Sequence, residues 1–267
     1  MKNKTFYLLP YLFWLTLFVF LPLILIVYQA FFTNGHLTLV NFHDFFKSSV
    51  YLKMTFNSIV YALIITLITF VISYPTAYIL TTLRHKELWL MLIVLPTWIN
   101  LLLKAYAFIG LFATHGEVNH FLGLFGVAPK QLLFTNFSFI FVASYIELPF
   151  MILPIFNALE EISPLQLAAS SDLGANGWQK LRYIIFPLSL QGVKSGFQAV
   201  FIPSLSLFML TRLIGGNRVI TLGTAIEEHF LVTQNWGMGS AIGVVLILAM
   251  LATMYLTREG GGHEAIK

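Results

Sequence analysis

Residues 57–83 read N-S-I-V-Y-A-L-I-I-T-L-I-T-F-V-I-S-Y-P-T-A-Y-I-L-T-T-L, twenty-seven positions without one Asp, Glu, Lys or Arg. At 1.5 Å per residue a helix of that length rises about 40 Å, more than the roughly 30 Å hydrocarbon layer of a bilayer. Inside that layer every backbone N–H and C=O must be satisfied within the segment, so the block is expected to be a membrane-crossing helix. Working outward, the same character recurs at about 7–31, 88–112, 132–157, 191–213 and 239–257, which makes six expected spans. The fifth is the most diluted, by Lys194, Gln198, Pro203, Ser204 and Ser206. The fold class expected is all-α, a polytopic membrane protein of six helices.

The composition agrees. Hydrophobic residues are 58% of the 267 positions and charged residues 10%, against about 25% in a soluble domain. The net charge of +4 is scattered through short loops without a basic stripe, so it reads as membrane topology and lipid contact, not as a nucleic-acid surface. If Lys2 and Lys4 face the cytoplasm, then Arg84, Lys86, Lys180, Arg182, Lys194, Arg258 and Lys267 do too, and both termini are cytoplasmic. The block from Phe6 to Phe32 is too long for a signal-peptide core and lacks a small-residue cleavage site, so it stays as the first span. With no cysteine there is no disulfide, thiolate nucleophile or Cys-type zinc site. The expected division is one transmembrane domain over 1–257 and a flexible tail over 258–267, where Gly260 to Gly262 fall.

The spans carry Pro10, Pro22, Pro75, Pro96, Pro149, Pro154 and Pro203, each removing a backbone donor. Such helices pack against protein or line a cavity. In the last span, Gly239 and Gly243 form G-x-x-x-G, which suits close helix contact.

The longest stretch on the expected cytoplasmic side, 158–190, describes two short helices. Ser163 with Gln166 reads as a capping box and Pro164 occupies the first helical position. The helix runs to Leu173, and Gly174 follows where a left-handed cap ends it. A second helix starts near Asn176, spaces Trp178, Leu181 and Ile185 along one face, and is expected to stop at Pro187. The alternative is an ordinary amphipathic surface loop.

From Ala168 onward this segment, A-A-S-S-D-L-G-A, nine residues from Ala175 to Tyr183, then I-I-F-P, resembles the EAA loop of ABC importer permeases. That pattern is E-A-A, three residues, G, nine residues, I-x-L-P. Ala169, Gly174, Ile184 and Pro187 match it; Ala168, Ser170 and Phe186 depart from it, where the family has Glu, Ala and Leu. The resemblance implies a MetI-like permease fold in a prokaryotic inner membrane, with the loop seated on a cytoplasmic ATPase. The residues it puts at that contact are Ala168, Ala169, Ser170, Asp172, Leu173, Gly174, Ala175, Ile184 and Pro187. It also implies an ATPase dimer, a second homologous permease and an external binding protein as partners. Missing the family's carboxylate at Ala168 puts one polar contact to the ATPase in question.

Further stretches look like the polyamine-importing branch, whose substrates are spermidine and putrescine: N-S-I-V-Y-A (57–62), Y-P-T-A-Y (74–78), L-P-F-M-I-L-P (148–154), G-G-N (215–217) and N-W-G-M-G-S-A (235–241). Permeases for ferric iron, sulfate and other small solutes share parts of these patterns. Glu147 falls near mid-bilayer, where an ionisable group costs on the order of 3 kcal/mol, and such a residue faces a cavity or a partner. Facing the substrate path and attracting an ammonium is one reading; pairing to another helix, or staying neutral, is the other. Lys104, counted along a straight third span, falls near the outer interface, too far in depth to pair with it. Trp98 and Tyr106 offer cation-π faces to a polyamine, or serve as belt and core residues. Asp44, Glu117, Glu227 and Glu228, on the outer side, either help dock a binding protein or are solvated loop charge.

No G-x-x-x-x-G-K-[ST] loop occurs, and Gly237, Gly239 and Gly243 have the wrong spacing for a dinucleotide fingerprint, so ATP is expected on a partner and no cofactor on this chain. The seven His residues are dispersed, without H-E-x-x-H, a metal-ligand cluster or a nucleophile constellation, and no catalytic residue is expected. An ion-coupled secondary transporter or channel is the reading from another class; it would carry inverted repeats, and none is clear.

Overall fold

The computed structural model describes residues 4–257 apart from Asn34 and Asn217; the readings made on Lys2, Arg258, Lys267 and the tail 258–267 lie outside the described residues. The first apolar block forms α1 (Lys4–Leu15) and α2 (Leu21–Phe31), joined by a π turn at Thr16–Phe20. That turn ends two residues before Pro22. A proline has no N–H to give and its ring crowds the carbonyl four residues back, so a widened turn carrying one surplus residue lets the helix continue.

A two-stranded hairpin, β1 (Phe32–Thr33) and β2 (His36–Leu37), then leads through α3 (Val40–Lys47) to α4 (Ser49–Thr82). The long span therefore begins at Ser49, not near 57. Its buried Thr66 and Thr69 donate their hydroxyls to the carbonyls of Ala62 and Ile65 at 2.7 and 2.6 Å, so these two polar groups are satisfied within the helix that carries them into the apolar layer.

The third block departs from the straight span expected over 88–112. It forms α5 (Lys86–Val94), a 3₁₀ turn at Leu95–Trp98 and α6 (Leu101–Phe112), with a 91° bend at the break. Two residues account for the bend: Pro96 opens the 3₁₀ turn, and the Asn100 side chain accepts the Leu102 N–H at 2.8 Å, capping a new helix start. After α7 (Glu117–Gly123) comes α8 (Asn136–Glu160), opened by a reciprocal cap between Thr135 and Ser138.

Next come α9 (Pro164–Asp172), α10 (Gly177–Lys180), a π turn at Leu181–Ile185 and α11 (Phe186–Ser204). The helix expected to stop at Pro187 does not. The π turn again ends two residues before the proline and carries the helix through it, so one continuous rod runs from Gly177 to Ser204. At its far end the fifth span stops at Ser204, not 213. Pro203 withholds a backbone donor and Ser206 turns its hydroxyl toward the Pro203 carbonyl, which competes with the next helical bond. The chain closes with α12 (Phe208–Leu213), α13 (Leu222–Glu227), a π turn at Glu228–Val232 and α14 (Trp236–Thr257).

Among the described residues, four helices are long and apolar enough to cross a membrane alone, and the bent pair adds a fifth; α11 is the polar-diluted span. α8 is the hub, packed along its length on α4 and α11, with 56% of its apolar window buried, whereas none of the window in Leu8–Phe31 is. The main core gathers Ile65, Phe139, Met151, Ile155 and Val200; a second cluster around Phe45, Leu205, Leu222 and Ile242 joins α14 to α3, α11 and α13. Segments that six crossings put on one side also meet: Lys86 pairs with Glu160, the Leu222 N–H donates to Ser58 Oγ at 2.8 Å, and Tyr51 Oη lies 2.8 Å from His229 Nε2.

Candidate functional site: the foot and the seam that carries it

α9 and α10 form a foot hung between the end of α8 and the start of α11. Ser163 caps α9 by accepting the Leu165 N–H at 3.3 Å; among the described hydrogen bonds, Gln166 does not answer with its side chain. The reciprocal box falls one helix later, where Asn176 N donates to Gln179 Oε1 at 2.8 Å and Gln179 N to Asn176 Oδ1 at 2.9 Å. Between them Gly174 takes φ +81°, the left-handed turn expected of it. The N–H of Ala175 reaches the carbonyl of Ser170 and that of Gly174 the carbonyl of Ser171, which completes a Schellman cap. Lys180 Nζ donates to Ser171 Oγ at 2.6 Å, tying the two short helices together.

The foot has two faces. Leu167, Leu181 and Ile185 pack on the main core, and Ser170 is buried with its hydroxyl given to the Leu167 carbonyl at 2.7 Å. On the other face Leu173 is 89% exposed and Trp178 68%, with Leu165 and Tyr183 exposed beside them. Ala168, Ala169 and Asp172 are exposed as well; Ala175 and Ile184 are half-buried, and Pro187 lies beyond the π turn at the base of α11. So the nine residues singled out from the loop lie together on the foot and its shaft.

The rod above the foot enters the bundle through a seam that sequence reading missed. A Cβ on Gly192 would lie 2.5 Å from both Ala158 Cβ and the Pro154 carbonyl oxygen, and one on Gly196 would lie 2.7 Å from Met151 Sδ. Gly192 and Gly196 thus let α11 and α8 approach backbone to backbone. The signal was there, as G-V-K-S-G, but Lys194 and Ser195 masked it in the most diluted span. The motif that was read, Gly239 and Gly243, does less at a helix pair: Gly239 is tight against Phe230 and His229 of the preceding loop, and a Cβ on Gly243 would make only an ordinary 3.8 Å contact with Ile26.

Glu147 is 5% exposed, on the buried side of α8. The Lys104 ammonium is within electrostatic reach of it, contrary to the depth argument from a straight third span. The break at 99–100 is the reason, because it starts α6 afresh and returns it to α8, where Phe108 packs edge-on to Tyr145 at 5.1 Å. Trp98, at the break, is 79% exposed, and Tyr106 is exposed two residues, about 200° around the helix, from Lys104. These two aromatic residues do not gather around Glu147. Of the acidic residues assigned to the outer side, Glu227 is taken up by Arg212 at 2.7 Å and Asp44 lies 3.3 Å from His43.

The stretches that suggested the polyamine branch prove to be joints. Tyr74 lies 3.0 Å from Ser189 Oγ, pinning α4 to the base of α11; Tyr61 donates to Asn136 Oδ1; Asn235 caps α14 through the Met238 N–H at 3.1 Å. Met151 and Pro154 face Gly196 and Gly192 across the seam, and Gly216, with φ +57°, gives way to the Phe134 ring.

No model of a known protein family matches the chain. Among solved structures it superposes on a bacterial ABC transporter involved in the import of the acidic polysaccharide alginate, with a TM-score of 0.79 at 19% identity, covering 98% of this chain and 97% of that one. The complex of the alginate transporter with its alginate pentasaccharide-bound periplasmic protein gives 0.80 at 18%, covering 96% and 93%. The fold is therefore that of an ABC importer permease. Among curated proteins, the spermidine/putrescine transport system permease PotB of Haemophilus influenzae is 33% identical over 255 residues, 91% of this chain and 89% of its own length. PotB of Escherichia coli K12 is 34% identical over 247 residues, covering 89% and 90%. The E. coli inner membrane ABC transporter permease YdcU is 28% identical over 285 residues, covering 96% and 88%. The chain belongs to the PotB family of spermidine/putrescine transport permeases.

Proposed function

We propose that this chain forms half of the membrane path of an ATP-driven polyamine importer and that the foot is its coupling element. A partner ATPase dimer binds and hydrolyses ATP, and Ala168, Ala169, Ser170, Asp172, Leu173, Gly174, Ala175, Ile184 and Pro187 form the contact and its shaft. A second homologous permease completes the path, and a polyamine-binding protein delivers spermidine or putrescine on the outer side. Both termini, the tail 258–267 and the foot are cytoplasmic.

The observation that carries this reading is the pairing of an exposed apolar face at Leu173 and Trp178 with an unbroken helix from Gly177 to Ser204. Large apolar side chains outside the bilayer call for a protein partner. A helix fused to them passes a push at the foot to the seam with α8. The Glu147 carboxylate attracts the cationic substrate, with Lys104 as its resting partner and Trp98 and Tyr106 at the mouth.

The test is reconstitution of the complex in proteoliposomes and uptake of labelled spermidine, putrescine, sulfate and ferric iron with and without ATP. ATP-dependent polyamine uptake that vanishes when the ATPase is omitted is expected. Uptake that persists without the ATPase would point to an ion-coupled carrier, and uptake of the inorganic ions alone to a different importer branch. Glu147→Gln should lower polyamine uptake without loss of assembly; unchanged kinetics would remove Glu147 from the path.

A further inference from the structure

Where α8 and α11 part at their foot-side ends, the structure holds a groove of about 220 Å³. Its walls are polar. Asn157 and Glu161 come from the end of α8, and Gln191 and Ser195 from the start of α11, around the backbone of Gly192. Every one of these side chains presents an oxygen, and the only charge among the lining groups is the Glu161 carboxylate. Among the described residues, the neighbouring Glu160 is neutralised by Lys86, while Glu161 has no ion pair. A carboxylate flanked by two amide oxygens and a hydroxyl is a donor set for a primary ammonium, which offers three N–H groups to accepting oxygens.

The position matters as much as the chemistry. The foot is spliced between the two helices that form the groove, so any movement of the foot against the bundle changes the spacing of Asn157 and Glu161 from Gln191 and Ser195. At Gly192 the two backbones meet, against the Pro154 carbonyl and the Ile155 Cα, which makes that contact the pivot. Glu161 also lies fourteen residues past Glu147, some 21 Å along the axis and within about 40° of the same helix face.

We propose that this groove is a second, inner binding site for the ammonium end of the imported amine, filled from the cytoplasmic side, and that its occupation ties α8 to α11 and slows transport. The site thus reads the internal amine pool. It rests on the polyamine-importer reading, and it adds to that reading a ligand site at the foot's root.

Two measurements on the assembled importer test it. First, because the chain has no cysteine, Ser195→Cys places one thiol of this subunit in the groove, with Asn157→Cys as a second position should the first variant not assemble. Putrescine added from the foot side should slow modification by a charged maleimide at matched ionic strength, and 1,4-butanediol should not. Equal protection by sodium chloride would make the groove an unselective cation site, and no protection by putrescine at either position would overturn the proposal. This measurement needs no transport, so it separates failure of the site from failure of the importer reading.

Second, proteoliposomes with the foot and ATP inside are loaded with or without putrescine, and the loaded-to-unloaded ratio of spermidine uptake is read within each variant. The ratio should fall well below one for the native chain. Glu161→Gln should raise the internal putrescine needed for half-inhibition roughly tenfold, since a bond to a charged acceptor is lost, and Glu161→Asp should recover part of it. A ratio near one in the native chain, or a Gln variant inhibited like the native, would refute the regulatory role.

Discussion

The seam and the foot solve opposite problems with adjacent residues. At the seam, Gly192 and Gly196 bury backbone against Ala158, Pro154 and Met151, and nothing larger fits. Earlier along the same stretch of chain, the foot leaves Leu173 and Trp178 open to solvent. In one case the chain has removed side chains to bring its own helices together; in the other it has kept large apolar side chains with nothing of its own to cover them. The difference teaches how to sort apolar surface in a membrane protein: a lipid-facing helix such as Leu8–Phe31 is explained by the bilayer, but an apolar face on a polar-side projection is explained only by another protein.

The comparison can be broken most sharply at the seam. Gly192→Leu should cost on the order of 3 kcal/mol or more, because the Pro154 carbonyl oxygen and the Ala158 Cβ are fixed to the α8 backbone and cannot swing away, and the variant should be lost from the membrane fraction. Its survival at native levels would mean the helices are not in contact there. At the foot the expectation reverses. Trp178→Ala should leave the chain in the membrane yet weaken capture of the ATPase by about 2 kcal/mol, as for an exposed aromatic anchor at an interface; pull-down from detergent reads this, and loss of the chain itself would show that Trp178 is structural.

Between these extremes stands Gly174→Ala. Nothing lies within 4 Å of a Cβ there, so the cost is backbone strain alone, about 1–2 kcal/mol at φ +81°. It should disorder the foot and reduce the ratio of transport to ATP hydrolysis while the bundle stays intact. The smallest effect belongs to Lys86→Ala. Its pair with Glu160 is partly exposed, so the change in thermal stability should correspond to no more than about 1 kcal/mol.

Much of this was legible in the chain. Apolar blocks named the spans, and Ser163, Pro164, Gly174 and Asn176 named the foot, since caps and turns are local chemistry. What escaped was what depends on a neighbour. Pro187 reads as a helix stop in isolation, and only the π turn before it, supported by packing of Ile185 and Leu181, shows that the helix survives. Pro96 and Asn100 announce a break in the third span only when the capping bond to Leu102 is weighed against an otherwise unbroken apolar run, and the misplaced depth of Lys104 followed from that omission. Gly192 and Gly196 were hidden by the polar residues between them, which face away from the seam's contact.

The π turn at Leu181–Ile185 leaves one residue more than an ordinary helix needs in the shaft between foot and bundle. Excising a single residue there would return the shaft to an ordinary helix and leave Trp178 facing much as it does, whereas excising one from the regular helix at Phe186–Ser204 would rotate the whole foot by about 100° and draw it in by about 1.5 Å, turning Trp178 away from whatever it grips.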